Sequence, residues 1–271
     1  MEFFRVVCEY AFMRNALIAS VLTGAVCGLI GTYIVIRRRV FLSGGITHAS
    51  FGGIGIAYWL GLDPVWGAFV FAILSSLGIE FADRHARIRQ DSAIGMVWSF
   101  GMAVGVIFIY MTPGYAPNLM SFLFGNILVV SNGDIMALAS LVTLLLVLAP
   151  FFYRQAVYAA FDENFARSRG VNVAAFAYIM ALLTAVSVVL CIRSLGIVLL
   201  ISLLTVPAVI VNSFTGSFSA IAFRASLLAV AANICGLAAS YFLNVPAGAA
   251  TIFLLTLTLL FIKLLPLRSI K

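Results

Sequence analysis

Long apolar stretches dominate the chain, and short polar or charged turns separate them. A membrane-spanning helix needs about 20 predominantly apolar residues, and the pattern divides into segments of this length. The second segment is short and rich in glycine, so the pattern predicts eight to nine transmembrane helices. The predicted spans are residues 15–36, 45–61, 64–82, 93–111, 133–152, 173–191, 195–214, 219–242 and 246–264.

Two further segments are apolar but differ from this pattern. Near the N-terminus, charged side chains recur at helical spacing among apolar ones, which predicts an interfacial helix before the first span; they are Glu2, Arg5, Glu9 and Arg14. The run from Ala16 to Ile36 is too long for the apolar part of a signal peptide, so we expect a retained first span. Residues 115–132 are apolar, but the segment is too short and too interrupted to cross the membrane twice. We therefore expect a re-entrant or interfacial helix there.

The composition excludes a soluble globular protein. Hydrophobic residues make up 64% of the chain, charged residues only 9%, and the mean hydropathy is +1.17, whereas soluble domains carry about 25% charged residues. The four cysteines have no CxxC spacing, which argues against a disulfide or a thiolate metal site. We therefore expect an all-α polytopic membrane protein whose residues 1–271 form a single transmembrane domain.

The basic residues predict the orientation of the chain in the membrane. Most of them fall on one side of the alternating spans, which the positive-inside rule assigns to the cytoplasm. This places the N-terminus outside and the C-terminus in the cytoplasm, with Arg193 as the main exception. The same placement accounts for the net charge of +7 without nucleic-acid binding. The residues on the cytoplasmic side are Arg37, Arg38, Arg39, Arg84, Arg87, Arg89, Arg154, Arg167, Arg169, Lys263, Arg268 and Lys271.

Few ionisable side chains fall inside the predicted spans, where they are energetically expensive and usually functional. Glu80, Asp134 and Lys263 lie close to span ends, so we expect them to reach the lipid headgroups. The sequence contains no mid-membrane charge relay and no evident internal repeat. Both observations argue against a proton-driven pump and against an inverted-repeat carrier.

His48 lies at the start of the short second span, among small residues between Leu42 and Gly55. Neutral imidazole is a common ligand for zinc and suits several other transition metals. The surrounding glycines allow close helix approach and a narrow path beside the backbone. The alternative is a helix-packing segment in which His48 hydrogen-bonds to a neighbouring carbonyl.

The polar segment from Phe161 to Asn172 interrupts the apolar pattern on the predicted cytoplasmic side. Asp162 and Glu163 suit the first turn of a short helix, and Gly170 suits its C-terminal end. Exposed aromatic side chains beside charges are typical of a protein interface, so Phe161 and Phe165 indicate docking of another protein. The alternative is a solvated loop that helps to determine topology.

Several of these segments together carry a family resemblance. The chain resembles the membrane permease subunit of zinc, manganese and iron ABC importers over nearly its whole length. The matching segments, in the family's order, are Arg37–Arg39, Ser43–Gly53, Leu123–Ser131, Phe161–Asn172, Ser194–Ala208 and Val245–Ile252.

The resemblance implies a type II ABC importer-like fold, related to the vitamin B12-type importers, in a prokaryotic cell (inner) membrane. It implies a homodimer with the translocation path between its copies, cytoplasmic ABC ATPase subunits, and an extracytoplasmic metal-binding protein. The chain itself would not be an enzyme, and it contains no Walker motif. The family's coupling helix would correspond to about 161–171, with its ATPase-coupling residues at Phe161, Asp162, Glu163, Phe165, Ala166, Arg167 and Gly170.

One position departs from the family pattern. Many members have an aspartate four residues before the histidine, where this chain has Gly44. His48 is then the principal candidate metal ligand, and the hydroxyls of Ser43, Thr47 and Ser50 are weaker oxygen candidates. Without the carboxylate the resemblance does not select one metal: zinc and manganese rank level, and iron slightly lower.

Other functions remain open on the sequence. Permeases for a chelated metal or a small cofactor share the architecture, but are usually several tens of residues longer. A stand-alone channel or secondary carrier would need mid-membrane charges or repeats. A membrane scaffold without transport activity is the third alternative, and an associated ATPase subunit would distinguish the importer from all three.

Overall fold

The computed structural model describes residues 2–86, 88–113 and 125–264, and the side chains from residue 5 onward. Eight of its helices are long and apolar enough to cross a membrane, which confirms the all-α polytopic prediction. These are α2 to α6 and α8 to α10. The helices are α1 Glu2–Glu9, α2 Ala11–Ile36, α3 Val40–Trp59, α4 Pro64–His85, α5 Gln90–Met111, α6 Asn132–Phe161, α7 Glu163–Ser168, α8 Val173–Asn212, α9 Phe218–Leu243 and α10 Ala247–Leu264, with a 3₁₀ turn at Ile127–Val129.

Helix α8 accounts for two of the predicted spans. Its 40 residues would extend about 60 Å at 1.5 Å per residue, roughly twice the thickness of the hydrocarbon core. Gly196 interrupts it with non-helical backbone angles (φ 74°, ψ 168°). The predicted spans 173–191 and 195–214 are therefore the two parts of one element.

The predicted helix before the first span is confirmed. Helix α1 ends at Glu9 and α2 begins at Ala11, so a separate helix precedes the first span, while Arg14 belongs to α2. The position of α1 at the membrane surface stays a prediction. The predicted re-entrant segment lies largely outside the described residues, which resume at Gly125.

The helices form two compact units. The first contains α1, α2, the 3₁₀ turn, residues 132–154 of α6, residues 190–212 of α8, α9 and α10. The second contains α3, α4, α5, residues 155–161 of α6, α7 and residues 173–189 of α8. The second unit thus holds both His48 and the segment predicted to dock another protein.

In the second unit, α3 packs against α4 and α5 through glycines. A Cβ atom added at Gly101 would lie 2.6 Å from the Cα of Ala49, and one added at Gly52 would lie 2.8 Å from the carbonyl oxygen of Gly101. Backbones this close leave no room for side chains, so the small residues determine how α3 and α5 meet.

We expect Gly101→Ala to destabilise the second unit. The new methyl group would press on the backbone of α3, and overpacking of this kind costs about 1–3 kcal/mol. Gly95→Ala on the same helix is the matched control, because among the described residues no atom outside its own stretch of helix lies within 4 Å of its added Cβ and alanine favours helix by up to about 1 kcal/mol. The unfolding midpoint of the purified protein should fall for Gly101→Ala and rise slightly for Gly95→Ala; equal shifts would contradict the packing argument.

In the first unit, a buried amide joins α9 to α2. The Asn233 Nδ2 group donates to the carbonyl of Ser20 (3.1 Å) and to the Thr23 hydroxyl (3.2 Å). Gly24 lies against the backbone of Val230 on the same face. Helix α10 packs on α9 in turn, so α9 is central to this unit.

The prediction that Glu80 reaches the headgroups is wrong. Its side chain is 1% exposed and lies between two arginines of the second unit. Arg39, just before α3, donates to Glu80 Oε2 over 2.9 Å, and Arg84 donates to Oε1 over 2.5 Å. Burial of a carboxylate is expensive unless it is paired and hydrogen-bonded, and these arginines satisfy both conditions.

Asp134 forms an ion pair in the first unit. Its Oδ1 atom lies 2.8 Å from Nη1 of Arg193, the residue that departs from the predicted charge asymmetry. The pair gives a charge on the predicted outer side a partner, which lowers the cost of keeping it there. Lys263 is exposed and donates to the Ser213 hydroxyl over 3.2 Å.

Candidate metal-binding and docking sites

His48 is half-buried on α3 and stacks on Trp98 of α5. The two ring centroids lie 4.2 Å apart, and the ring planes are within 6° of parallel. The Nδ1 atom of His48 is buried and has no hydrogen-bond partner in the part of the chain that the structure describes. For Nδ1, this differs from the packing alternative, in which the imidazole would bond to a neighbouring carbonyl.

The candidate oxygen ligands lie on a different face of α3. Ser43, Thr47 and Ser50 are completely buried, and each hydroxyl donates to a carbonyl within the helix, over 2.9, 2.5 and 2.6 Å respectively. Successive residues of an α-helix are rotated by about 100°, so His48 points away from the row that these three residues form. The structure therefore does not gather the hydroxyls around the imidazole.

Gly44 lies one helical turn before His48, on the same side of α3. A carboxylate at this position would project beside the imidazole. Among the described residues, no group of three or more histidine, cysteine, aspartate or glutamate side chains is arranged to hold a metal ion. In the described part of the chain, His48 is thus not surrounded by such a cluster.

The predicted helix in the polar segment is confirmed as α7. Asp162 is its N-cap, and one carboxylate oxygen accepts from the backbone N–H groups of Asn164 (2.8 Å) and Phe165 (3.2 Å). Such a cap stabilises a helix by about 0.5–2 kcal/mol. Glu163 follows in the first turn, where a carboxylate also favours the helix.

The C-terminal end of α7 is closed by Gly170. Its φ is 80°, in the left-handed region, and its N–H donates to the carbonyl of Arg167 over 3.0 Å. The N–H of Val171 donates to the carbonyl of Ala166, also over 3.0 Å. These two bonds form a Schellman motif, which ends the helix at this residue.

Aromatic side chains are exposed on α7 and at the end of α6 just before it. Phe161 is 63% exposed and Phe165 46%, while Ala166 is completely buried. The Arg167 and Glu163 side chains approach within 3.8 Å beside the rings. An exposed, rigid surface that mixes aromatic and charged groups is suited to a protein partner.

Sequence reasoning missed two contributors to this surface. The Arg169 guanidinium lies 5.9 Å from the ring centroid of Tyr158 and 5.7 Å from that of Phe165, and the two rings meet edge-on at 5.2 Å. These cation–π contacts hold Phe165 in place. Arg169 lies four residues after Phe165, and this helical spacing could have indicated the contact between them. Tyr158 was assigned to no predicted span or site.

A cavity of about 290 Å³ lies in the first unit, apart from the predicted site residues. Asn126, Ser194, Asn233 and Thr251 are among its lining residues. The Oδ1 atom of Asn233 is buried without a hydrogen-bond partner in the described part of the chain. No predicted metal ligand or docking residue lines this cavity.

Comparisons with known proteins place these features in a family. The family described as "ABC 3 transport family" matches residues 9–265. The manganese transport system membrane protein MntC of Listeria innocua is 33% identical over 95% of this chain and 91% of its own length. The manganese import system permease protein ScaB of Streptococcus gordonii is 30% identical over 96% and 93%.

A solved structure shows the same likeness in three dimensions. PsaBC from Streptococcus pneumoniae in complex with Fab superposes with a TM-score of 0.86 and 29% sequence identity. The superposition covers 97% of this chain and 95% of the matched chain. The resemblance deduced from the sequence motifs therefore extends to the arrangement of the helices.

Proposed function

Because the chain belongs to the ABC 3 transport family and is a membrane permease, we propose that it is the transmembrane subunit of an ATP-driven importer for a divalent transition metal. The observation that carries this proposal is the family match over residues 9–265. The names of the manganese-transporting relatives favour manganese as the cargo. Zinc and ferrous iron compete with it, because imidazole suits both.

His48 is the proposed ligand for the transported ion. Its imidazole is half-buried, so part of the ring remains accessible to an approaching cation. A symmetric homodimer would supply two such imidazoles, and water would complete the coordination shell. Two neutral ligands hold a metal weakly, which favours release during transport. Ser43, Thr47 and Ser50 remain candidate ligands only if the ion also passes along the face of α3 on which they lie.

Helix α7 is the proposed contact for the cytoplasmic ABC ATPase. Its caps stabilise the helix, and a cation–π contact holds Phe165. The proposed coupling residues on α7 and next to it are Phe161, Asp162, Glu163, Phe165, Ala166, Arg167 and Gly170. Since α7 and α3 belong to the same compact unit, a displacement of α7 would reach the helix that bears His48 within that unit. ATP binding and hydrolysis would thereby switch the dimer between outward-open and inward-open states as a rigid-body movement.

Both compact units would belong to one permease domain in the cell membrane, with the N-terminus outside and the C-terminus in the cytoplasm. An extracytoplasmic binding protein would deliver the metal. ATP hydrolysis would belong to the partner chains, so this subunit would be a transport component without catalysis of its own.

The test is ATP hydrolysis by this chain co-purified with its ATPase and reconstituted in lipid. The binding protein is added empty or loaded with manganese, zinc or ferrous iron. We expect stimulation by one loaded form above the empty form, and that form identifies the cargo. An assembled complex that no loaded form stimulates would contradict the metal proposal and favour a chelated metal or cofactor; failure to assemble with any ATPase would favour a channel or a scaffold.

A further inference from the structure

The contact between His48 and Trp98 joins two different helices of the second unit. The rings stack face to face, 4.2 Å between centroids and 6° from parallel. A metal ion binds imidazole at a nitrogen lone pair, in the plane of the ring. A contact that covers one face therefore restrains the direction of that plane and leaves the ring edge available.

The close packing of α3 on α5 holds Trp98 next to His48. On one side of the stack, a Cβ atom at Gly45 would lie 2.5 Å from Cγ2 of Ile94, and on the other side Gly101 lies against the backbone of Ala49. Close contact on both sides of the stack restrains sliding of α5 along α3, and this packing keeps the indole beside His48. The stack is thus built into the packing of α3 on α5.

The stack can orient the imidazole of His48, which in metal sites is normally done by a hydrogen bond. A metal-ligating histidine usually donates its second ring N–H to a carboxylate, carbonyl or water, which orients the ring. The Nδ1 atom of His48 has no such partner in the described residues, and the position one turn before it is Gly44. Packing against Trp98 is then the contact that can orient this imidazole.

We propose that Trp98 is a positioning residue for the metal ligand His48, and that its indole face replaces the orienting hydrogen bond. This inference rests on the proposed role of His48 in metal transport. Trp98 itself does not touch the ion. The indole restricts the orientations of the His48 ring, so that the imidazole presents its nitrogen to the cation in a defined direction.

The experiment compares Trp98→Leu, which removes the aromatic face, with Trp98→Phe, which keeps one. Manganese binding to the purified complex without binding protein is followed by electron paramagnetic resonance, because the signal of hydrated Mn²⁺ disappears when the ion binds. His48→Ala defines the site, and Trp66→Leu is the matched control, since Trp66 is 69% exposed on α4. We expect Trp98→Leu to weaken the His48-dependent binding about 10-fold or more, with Trp98→Phe and Trp66→Leu close to the unaltered protein.

A second measurement leaves residue 98 unchanged, so it does not depend on how the two Trp98 variants fold. Trp59 and Trp66 are replaced by phenylalanine, which makes Trp98 the single tryptophan of the chain. Paramagnetic Mn²⁺ bound at His48 should quench its fluorescence with the same titration midpoint as the resonance signal, and His48→Ala should abolish the quenching.

The outcomes separate this inference from the proposed function. His48-dependent binding that persists unchanged in Trp98→Leu, or that leaves Trp98 fluorescence unaffected, would overturn the positioning role while His48 remained a ligand. Full manganese binding in His48→Ala would overturn the proposed ligand, and the positioning role with it.

Discussion

Replacing His48 with alanine is expected to lower metal uptake on the order of 10- to 100-fold in cells that contain normal amounts of the permease. Loss of an outer-shell partner of a metal ligand already costs about 10–100-fold, and loss of the ligand itself should cost at least as much. The effect should be large here because the described residues hold no cluster of acids, histidines or cysteines that would substitute. Uptake is measured as cell-associated metal with the binding protein and the ATPase present.

The second histidine supplies the control. His85 lies at the end of α4, is exposed, and stacks on Phe81 with ring centroids 4.8 Å apart. His85→Ala removes the same kind of side chain from a place without a proposed metal contact, and uptake should be unchanged. Equal uptake by His48→Ala and the unaltered permease would remove His48 from the pathway.

Reversing the charges of Asp162 and Glu163 to lysine is expected to leave the permease inserted but to abolish its coupling to the ATPase. Two carboxylates at the start of α7 become two cations, and truncating one partner of a desolvated charge pair at an interface costs about 2–5 kcal/mol. Since about 1.4 kcal/mol is a factor of ten in affinity, the ATPase should no longer co-purify with the permease.

Two further variants separate charge from helix structure. Asp162 caps α7, so its reversal also removes a cap; Asp162→Asn removes the charge but keeps a side chain that caps equally well. We expect Asp162→Asn to weaken ATPase binding with α7 intact. Asp91→Lys, an exposed acid in the first turn of α5, is the control and should have no effect. Full recovery of the ATPase with the doubly reversed permease would contradict the coupling role of α7.

Features that depend on neighbouring residues were predictable from the sequence. Apolar runs of about 20 residues identify membrane helices because the bilayer excludes unpaired backbone groups over a known thickness. Asp162 and Gly170 were assigned to the two ends of a short helix because capping is a local interaction between a side chain or turn and the adjacent backbone. Both assignments agree with the structure.

Features that depend on distant residues were not predictable. Glu80 was expected at the headgroups because its partner Arg39 lies 41 residues away in the chain, and hydropathy contains no information about which charges meet. The stack of His48 on Trp98 has the same origin, since the glycines that bring α3 against α5 indicate close packing but not its partner or register.

The chain alone was sufficient to establish an all-α membrane protein, its capped polar helix and its family resemblance, because all three are encoded in local composition and motif order. Folding in three dimensions was required to pair Glu80 with Arg39 and to set the imidazole of His48 against an indole. The physical reason is that these outcomes arise from contacts between helices, whose pairing and register depend on side-chain shape across the whole chain and not on the order of residues within any one helix.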